Sequence, residues 1–338
     1  MRSMIGGLSA LLGTVAVAAA SYGVREQYVL GGPGGWDYLT VDPAAQRLFI
    51  ARADRVLVMS TTDGRLLGTI PHTEGVHGVA LAPDVGRGFV SDGRADTVTV
   101  FDLKSLATVG TFTVSGHNPD AILYDAASHH LFTFNGRSQD ITVLDPVSGA
   151  TLATLAAGGK PEFAQADGRG HVFFNIEDTA QLGELDATAT RQVATWPLPG
   201  CEEPTGLALD AVHQRLFSTC GNGVLIVTDA ASGRHVATLP IGRGPDAAAF
   251  DAGRGLVFTS NGEDGTLSVI HEDDPDHYSA VATVTTQPSA RTLALDPASH
   301  RLYTVAAQVG ARPAATAAEP HPRPPVLDGS FRVLVIGE

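Results

Sequence analysis

Seven recurrences of one strand motif, a high glycine and proline content, and chain ends that complement each other predict an all-β fold. The expected architecture is a seven-bladed β-propeller of four-stranded antiparallel blades, with the N-terminal strand closing the last blade. The motif is an inner strand ending in Asp, or in Ala82 in one instance, and its copies end at positions 42, 82, 125, 167, 210, 251 and 296. Those intervals of 40 to 45 residues match the span of one four-stranded blade. Gly 38 and Pro 20 in 338 residues interrupt long helices and suit short strands joined by tight turns.

From the N-terminus, Arg2 precedes the apolar stretch Met4 to Ala20, which ends in the small residues Ala18, Ala19 and Ala20. This predicts an export signal at residues 1–20, cleaved before Ser21. The stretch is short for a membrane anchor and lacks a charged stop-transfer cluster. The mature chain, 21–338, is expected as a single propeller domain with no membrane span. Glu26 to Leu30 is the strand that the last blade lacks.

The third unit shows the repeat: Ala121 to Tyr124 innermost, then Leu131 to Phe134, Ile141 to Leu144, and Thr151 to Leu155 outermost. Its turn Asp145-Pro146-Val147-Ser148-Gly149 puts proline and glycine where a tight backbone reversal needs them. Similar turns recur at 62–64 and 229–233. In the fifth unit Cys201 precedes the inner strand and Cys220 ends the next one, so the two meet in an antiparallel pair. A disulfide there suits an oxidising compartment. After Asp296 the chain supplies Arg301 to Val305 and Phe331 to Ile336 and then stops. Pairing the first strand with the last removes the free sheet edge. The Pro-rich insertion 310–329 is stiff and extended; both a lid over the channel mouth and a plain surface insertion fit it.

The strand endings Phe132-Thr133-Phe134-Asn135, Val172-Phe173-Phe174-Asn175 and Val257-Phe258-Thr259-Ser260-Asn261 carry a family resemblance. So do the strand Ile141 to Asp145 and the Gly-x-x-Pro leads at Gly158 and Gly242. From about Tyr28 to Glu338 the chain resembles bacterial YVTN-type (YncE-like) propeller repeat proteins. That resemblance implies the propeller fold and export, and so a periplasmic or secreted location.

Five residues before each motif end stand Asp37, His77, Asp120, Glu162, Thr205, Asp246 and Arg291. Three before stand Leu39, Val79, Ile122, Ala164, Leu207, Ala248 and Leu293. The contrast predicts a polar, mostly acidic ring at the channel mouth above an apolar wall. Asp37, His77, Asp120, Glu162, Asp246 and Arg291 are the candidate ligand-binding residues. A polar lining that merely faces channel water is the alternative. Imidazole beside carboxylate suits a divalent metal, and His72, His77, His117 and Asp120 are the candidate ligands. His129, His130, His171, His213 and His300 are expected as solvated turn residues on the opposite face, with His271 and His277 in an acidic insertion there, while His321 belongs to the mouth face.

A net charge of −14 without a basic block opposes nucleic-acid binding. No Gly-x-Ser-x-Gly, His-Glu-x-x-His or phosphate-cradling glycine loop occurs. The expected function is therefore non-catalytic: a monomeric binding propeller taking a small ligand or protein partner at its mouth. The alternative is a metal-assisted hydrolase of lactonase-like type using the same mouth. The absence of a Cys-x-x-Cys-His motif sets a haem or redox role further off.

Overall fold

A computed structural model describes residues 22–311, 313–314 and 324–338. These form seven four-stranded antiparallel sheets, six of them continuous in the chain. The third comprises Pro119–Asp125, His130–Asn135, Asp140–Leu144 and Thr151–Ala156, each within two residues of the expected bounds. The last joins Leu293–Asp296, Arg301–Ala306 and Arg332–Gly337 to Gly23–Val29 from the other end of the chain. The closing strand thus begins earlier than Glu26 and ends before Leu30. The predicted signal and most of the insertion fall outside the described residues. Among those described, no helix is long and apolar enough to cross a membrane.

The second strand of each blade is covered on both faces by neighbouring blades, which is why it reads as a run of Phe, Val and Leu rather than an alternation. Phe49 meets Phe101, Phe134 meets Phe174, and Phe217 meets Phe250, with ring centroids 5.4 to 5.6 Å apart. The outermost strands alternate, as one half-exposed face requires; Arg191–Pro197 is an example. The Asp-x-x-Ser-Gly turns close as the residue types dictate. Asp145 Oδ1 accepts from the Ser148 N–H at 2.6 Å, and Gly149 takes φ 74°, a region glycine enters freely.

Cys201 and Cys220 form the expected disulfide, with Cα atoms 5.3 Å apart. It ties the lead of the fifth inner strand to the end of the adjacent one. Replacing both by serine should lower stability by roughly 3 kcal/mol in the chain-entropy view. The shift in denaturant midpoint between wild type and variant, measured without reductant, checks this, and an unchanged midpoint would show the bridge to be redundant.

Candidate functional site

The mouth is built by an irregularity common to five blades. The pairing of the two innermost strands slips after their first residue, between Val76 and Val79, Pro119 and Ile122, Pro161 and Ala164, Pro204 and Leu207, and Pro245 and Ala247. A bulge re-aims the side chains it carries. The bulged segments contain His77, Asp120, Glu162, Thr205 and Asp246. In the first and last blades pairing starts only at Leu39 and Leu293, so Asp37 and Arg291 lie on the incoming loops.

These residues pair across blades. His77 Nδ1 donates to Asp37 Oδ2 at 2.6 Å and stands 3.5 Å from Asp120 Oδ1. Arg291 is bonded to Asp246, stands 3.6 Å from Asp37, and donates to the Trp36 carbonyl at 2.8 Å. Glu162 meets Lys160 at 2.7 Å, and Lys160 also holds Glu177. Tyr38 reaches from the first blade to the fourth. Its hydroxyl donates to Glu162 at 3.3 Å, and its ring packs edge-on against Phe163 at 5.1 Å. Thr205 bonds only neighbouring strand groups, the Pro245 carbonyl and Thr219 Oγ1.

The charges are therefore more balanced than a mostly acidic ring. Burial disfavours a charged His77, but the hydrogen bond from Asp37 and the charges of Asp120, Asp37 and Glu162 outweigh it and push its pKa up to about 9. At neutral pH this imidazole is a cation. Burial raises Asp120 against the pull of His77, with Asp37 adding to the rise; burial and then the charge of Asp120 raise Glu162; and burial raises Asp246 despite Arg291. Lys160 and Glu177 lie outside the repeated ring positions, so the repeat pattern does not reveal them. The signal was present in the Gly-x-Lys-Pro lead.

Among the expected metal ligands, the structure joins His77 and Asp120 and adds Asp37; donor atoms of these three lie within 4.8 Å of one another. His72 and His117 stand outside that set. His117 is turned to Asp96 at 2.9 Å and exposed, and His72 is exposed at the rim. Each sits on a loop ahead of its inner strand and misses the bulge that aims His77 inward.

A cavity of about 390 Å³ opens on the Asp37–His77 pair, and Arg94, Asn118 and Arg137 line its outer part. Both arginines are exposed and make no side-chain ion pair among the described residues. Behind Tyr38 and Phe163 the channel continues as an apolar space of about 360 Å³ lined by Leu39, Val41, Val79, Leu81, Ile122 and Leu123. The apolar wall expected beneath the ring is there. At the base of the insertion Val309 pairs with Val326, and the Gly310 N–H donates to the Pro325 carbonyl at 2.8 Å.

No family model and no curated protein matches the chain. Solved structures do. A chain of the mitotic checkpoint complex superposes with a TM-score of 0.76 at 15% identity, covering 100% of this chain and 99% of that one. The WD40 repeats of RRP9 give 0.74 at 15% identity, covering 91% and 96%. Hydrazine synthase of Kuenenia stuttgartiensis gives 0.70 at 16% identity, covering 80% and 92%. At such identities the likeness is one of fold alone, the seven-bladed β-propeller.

Proposed function

We propose that the protein is an exported, non-catalytic binding propeller that takes a small zwitterionic, peptide-like ligand at its polar mouth. The observation that carries this is the cavity of about 390 Å³, with the Asp37 carboxylate in its wall and, at its rim, two arginines that make no side-chain ion pair among the described residues. A ligand's ammonium group fits the Asp37–Asp120 side, and its carboxylate fits the fork of Arg94 or Arg137. The YVTN-type strand endings and the disulfide support a periplasmic or secreted location.

Calorimetric titration with lysyl dipeptides tests the proposal. Asp120→Asn and Arg94→Ala should each weaken binding roughly tenfold, the loss of one charge-assisted hydrogen bond. No heat of binding, or equal binding of a capped, uncharged dipeptide, would overturn it.

One observation favours a second reading, the metal-assisted hydrolase of lactonase-like type: the convergence of Asp37, His77 and Asp120. Metal content of the purified protein separates the two. About one equivalent of a divalent ion, lost in His77→Ala, would establish the metal reading.

A further inference from the structure

The sixth blade is built differently from the rest. Its outer hairpin consists of Thr266–Asp274 and His277–Thr285, nine residues each, where the corresponding strands elsewhere have five to seven. The three extra residues carry Glu272 past the blade's edge to the turn after Asp210 in the fifth blade. Such an extension orders more backbone, which opposes folding unless something is gained.

What it creates is a cluster of donors away from the channel mouth. Donor atoms of Asp210, His213 and Glu272 lie within 4.8 Å of one another. His213 Nδ1 is 2.5 Å from Asp210 Oδ2 and 4.0 Å from Glu272 Oε2. Asp210 is 2% exposed and Glu272 8%. Two carboxylates this deeply buried ordinarily require a matching cation. At the neighbouring motif end the requirement is met: Asp251 has His300 at 2.7 Å and Arg254 at 4.0 Å.

At Asp210 one imidazole faces two carboxylates: His213 stands on Asp210 as His300 does on Asp251, and Glu272 has no close cation of its own among the described residues. Glu272 Oε1 accepts a long hydrogen bond from Tyr278, 3.3 Å, and Oε2 has no N–H donor within hydrogen-bond reach among the described residues. Arg215, which fastens the same hairpin, points elsewhere: to Asp229 at 2.8 Å, the Pro275 carbonyl at 2.7 Å and the His213 carbonyl at 2.9 Å. A cavity of about 390 Å³ opens over the three groups, with Asp273, Asp274 and Pro275 on its wall.

We infer that Asp210, His213 and Glu272 form a binding site for a divalent transition-metal ion, held between the fifth and sixth blades. One imidazole and two carboxylates are the donor set of zinc and its first-row neighbours. The two carboxylates balance a double positive charge. The open cavity leaves room for water or an outside ligand to complete the coordination. The ion would also pin the long hairpin to the fifth blade.

The test uses the full mature chain stripped with chelator and titrated with Zn²⁺ alone, then with Co²⁺, whose visible absorption reports coordination directly. About one equivalent should bind with Asp210, His213 and Glu272 intact, and His77→Ala should leave that equivalent in place. Glu272→Gln and His213→Ala should each weaken it roughly tenfold or more and remove the cobalt absorption. His213 is half-exposed, so its variant tests the site even if Glu272→Gln disturbs the hairpin. No Zn²⁺ uptake, or uptake unchanged in both variants, overturns the inference. Loss of all uptake in His77→Ala alone would assign the ion to the channel mouth instead.

Discussion

Deleting residues 22–30 should abolish cooperative folding of the propeller and leave an aggregating chain. Gly23–Val29 runs antiparallel to Arg332–Gly337, with Gly23 opposite Gly337 and Val29 opposite Arg332. Without it the last blade exposes the edge of a strand whose residues from Val333 to Gly337 are otherwise buried. Such an unpaired apolar edge templates aggregation. The segment also brings Tyr22 onto Phe258, with centroids 5.4 Å apart, and packs Tyr28 beside Phe331 and Val333. Burying Tyr22, Val24 and Tyr28 is worth about 5 kcal/mol in all, a large part of the roughly 5–15 kcal/mol that holds an ordinary protein folded.

The same deletion frees one end of the loop that a second attachment holds. Arg52 is wholly buried, its guanidinium lies 3.7 Å from the Phe331 ring, and it donates to carbonyls of the loop Gly31 to Gly35 that leads from the closing strand. Size-exclusion chromatography and thermal unfolding of the truncated chain check the expectation. A soluble monomer melting like wild type would refute closure by the N-terminal strand.

Asp92→Asn should stabilise the protein by about 2–4 kcal/mol at pH 8 and by almost nothing at pH 4. Asp92 ends the second strand of its blade and is 2% exposed. Its Oδ2 accepts from Thr99 at 2.7 Å and Thr97 at 3.2 Å, but Oδ1 is buried with no hydrogen-bond partner. Burial is the main reason its pKa rises to about 7. The folded state thus holds a proton that the unfolded state releases near pH 4. Stability from this group is full below the unfolded value, falls as pH rises through the window from about 4 to 7, and stays low above it.

Asparagine removes the penalty because it carries no charge, and the fold already accommodates it at this position. Asn261 ends the same strand in the sixth blade and donates to Thr266 at 3.1 Å and Ser268 at 2.9 Å, the counterparts of Thr97 and Thr99. Asn135 does likewise toward Asp140 and Thr142. Urea midpoints of wild type and variant across pH 4 to 8 measure the effect. Parallel curves would mean that Asp92 stays ionised and adequately solvated in the fold.

These Asn residues show how far local reading goes. The endings Phe-Asn and Ser-Asn are visible in the sequence as a family resemblance, yet their work as clamps between adjacent strands becomes apparent only through the partners. His213 is a sharper case. As a turn residue it reads as solvated, and its neighbours in sequence give no reason to think otherwise. It is exposed as read, yet the structure also sets Glu272, 59 positions away, beside it. The histidines of the other first turns are likewise engaged: His129 with Asp84 at 3.0 Å, His171 with Glu184 at 2.7 Å.

The amino-acid sequence by itself determined the blades, their number, the closing strand, the disulfide, and the polar ring with its apolar wall. Each of these follows from strand period, turn chemistry or spacing repeated over some forty residues, and such patterns are written along the chain. Tertiary structure alone decided which charges meet. His77 rather than His72 or His117 turns to Asp37 and Asp120, Lys160 bridges Glu162 and Glu177, and the long hairpin sets Glu272 over Asp210. The physical reason is that charge interactions depend on distance and burial in space. Those distances are set when seven blades close into a ring and bulges aim their side chains, steps that bring together residues from separate repeats.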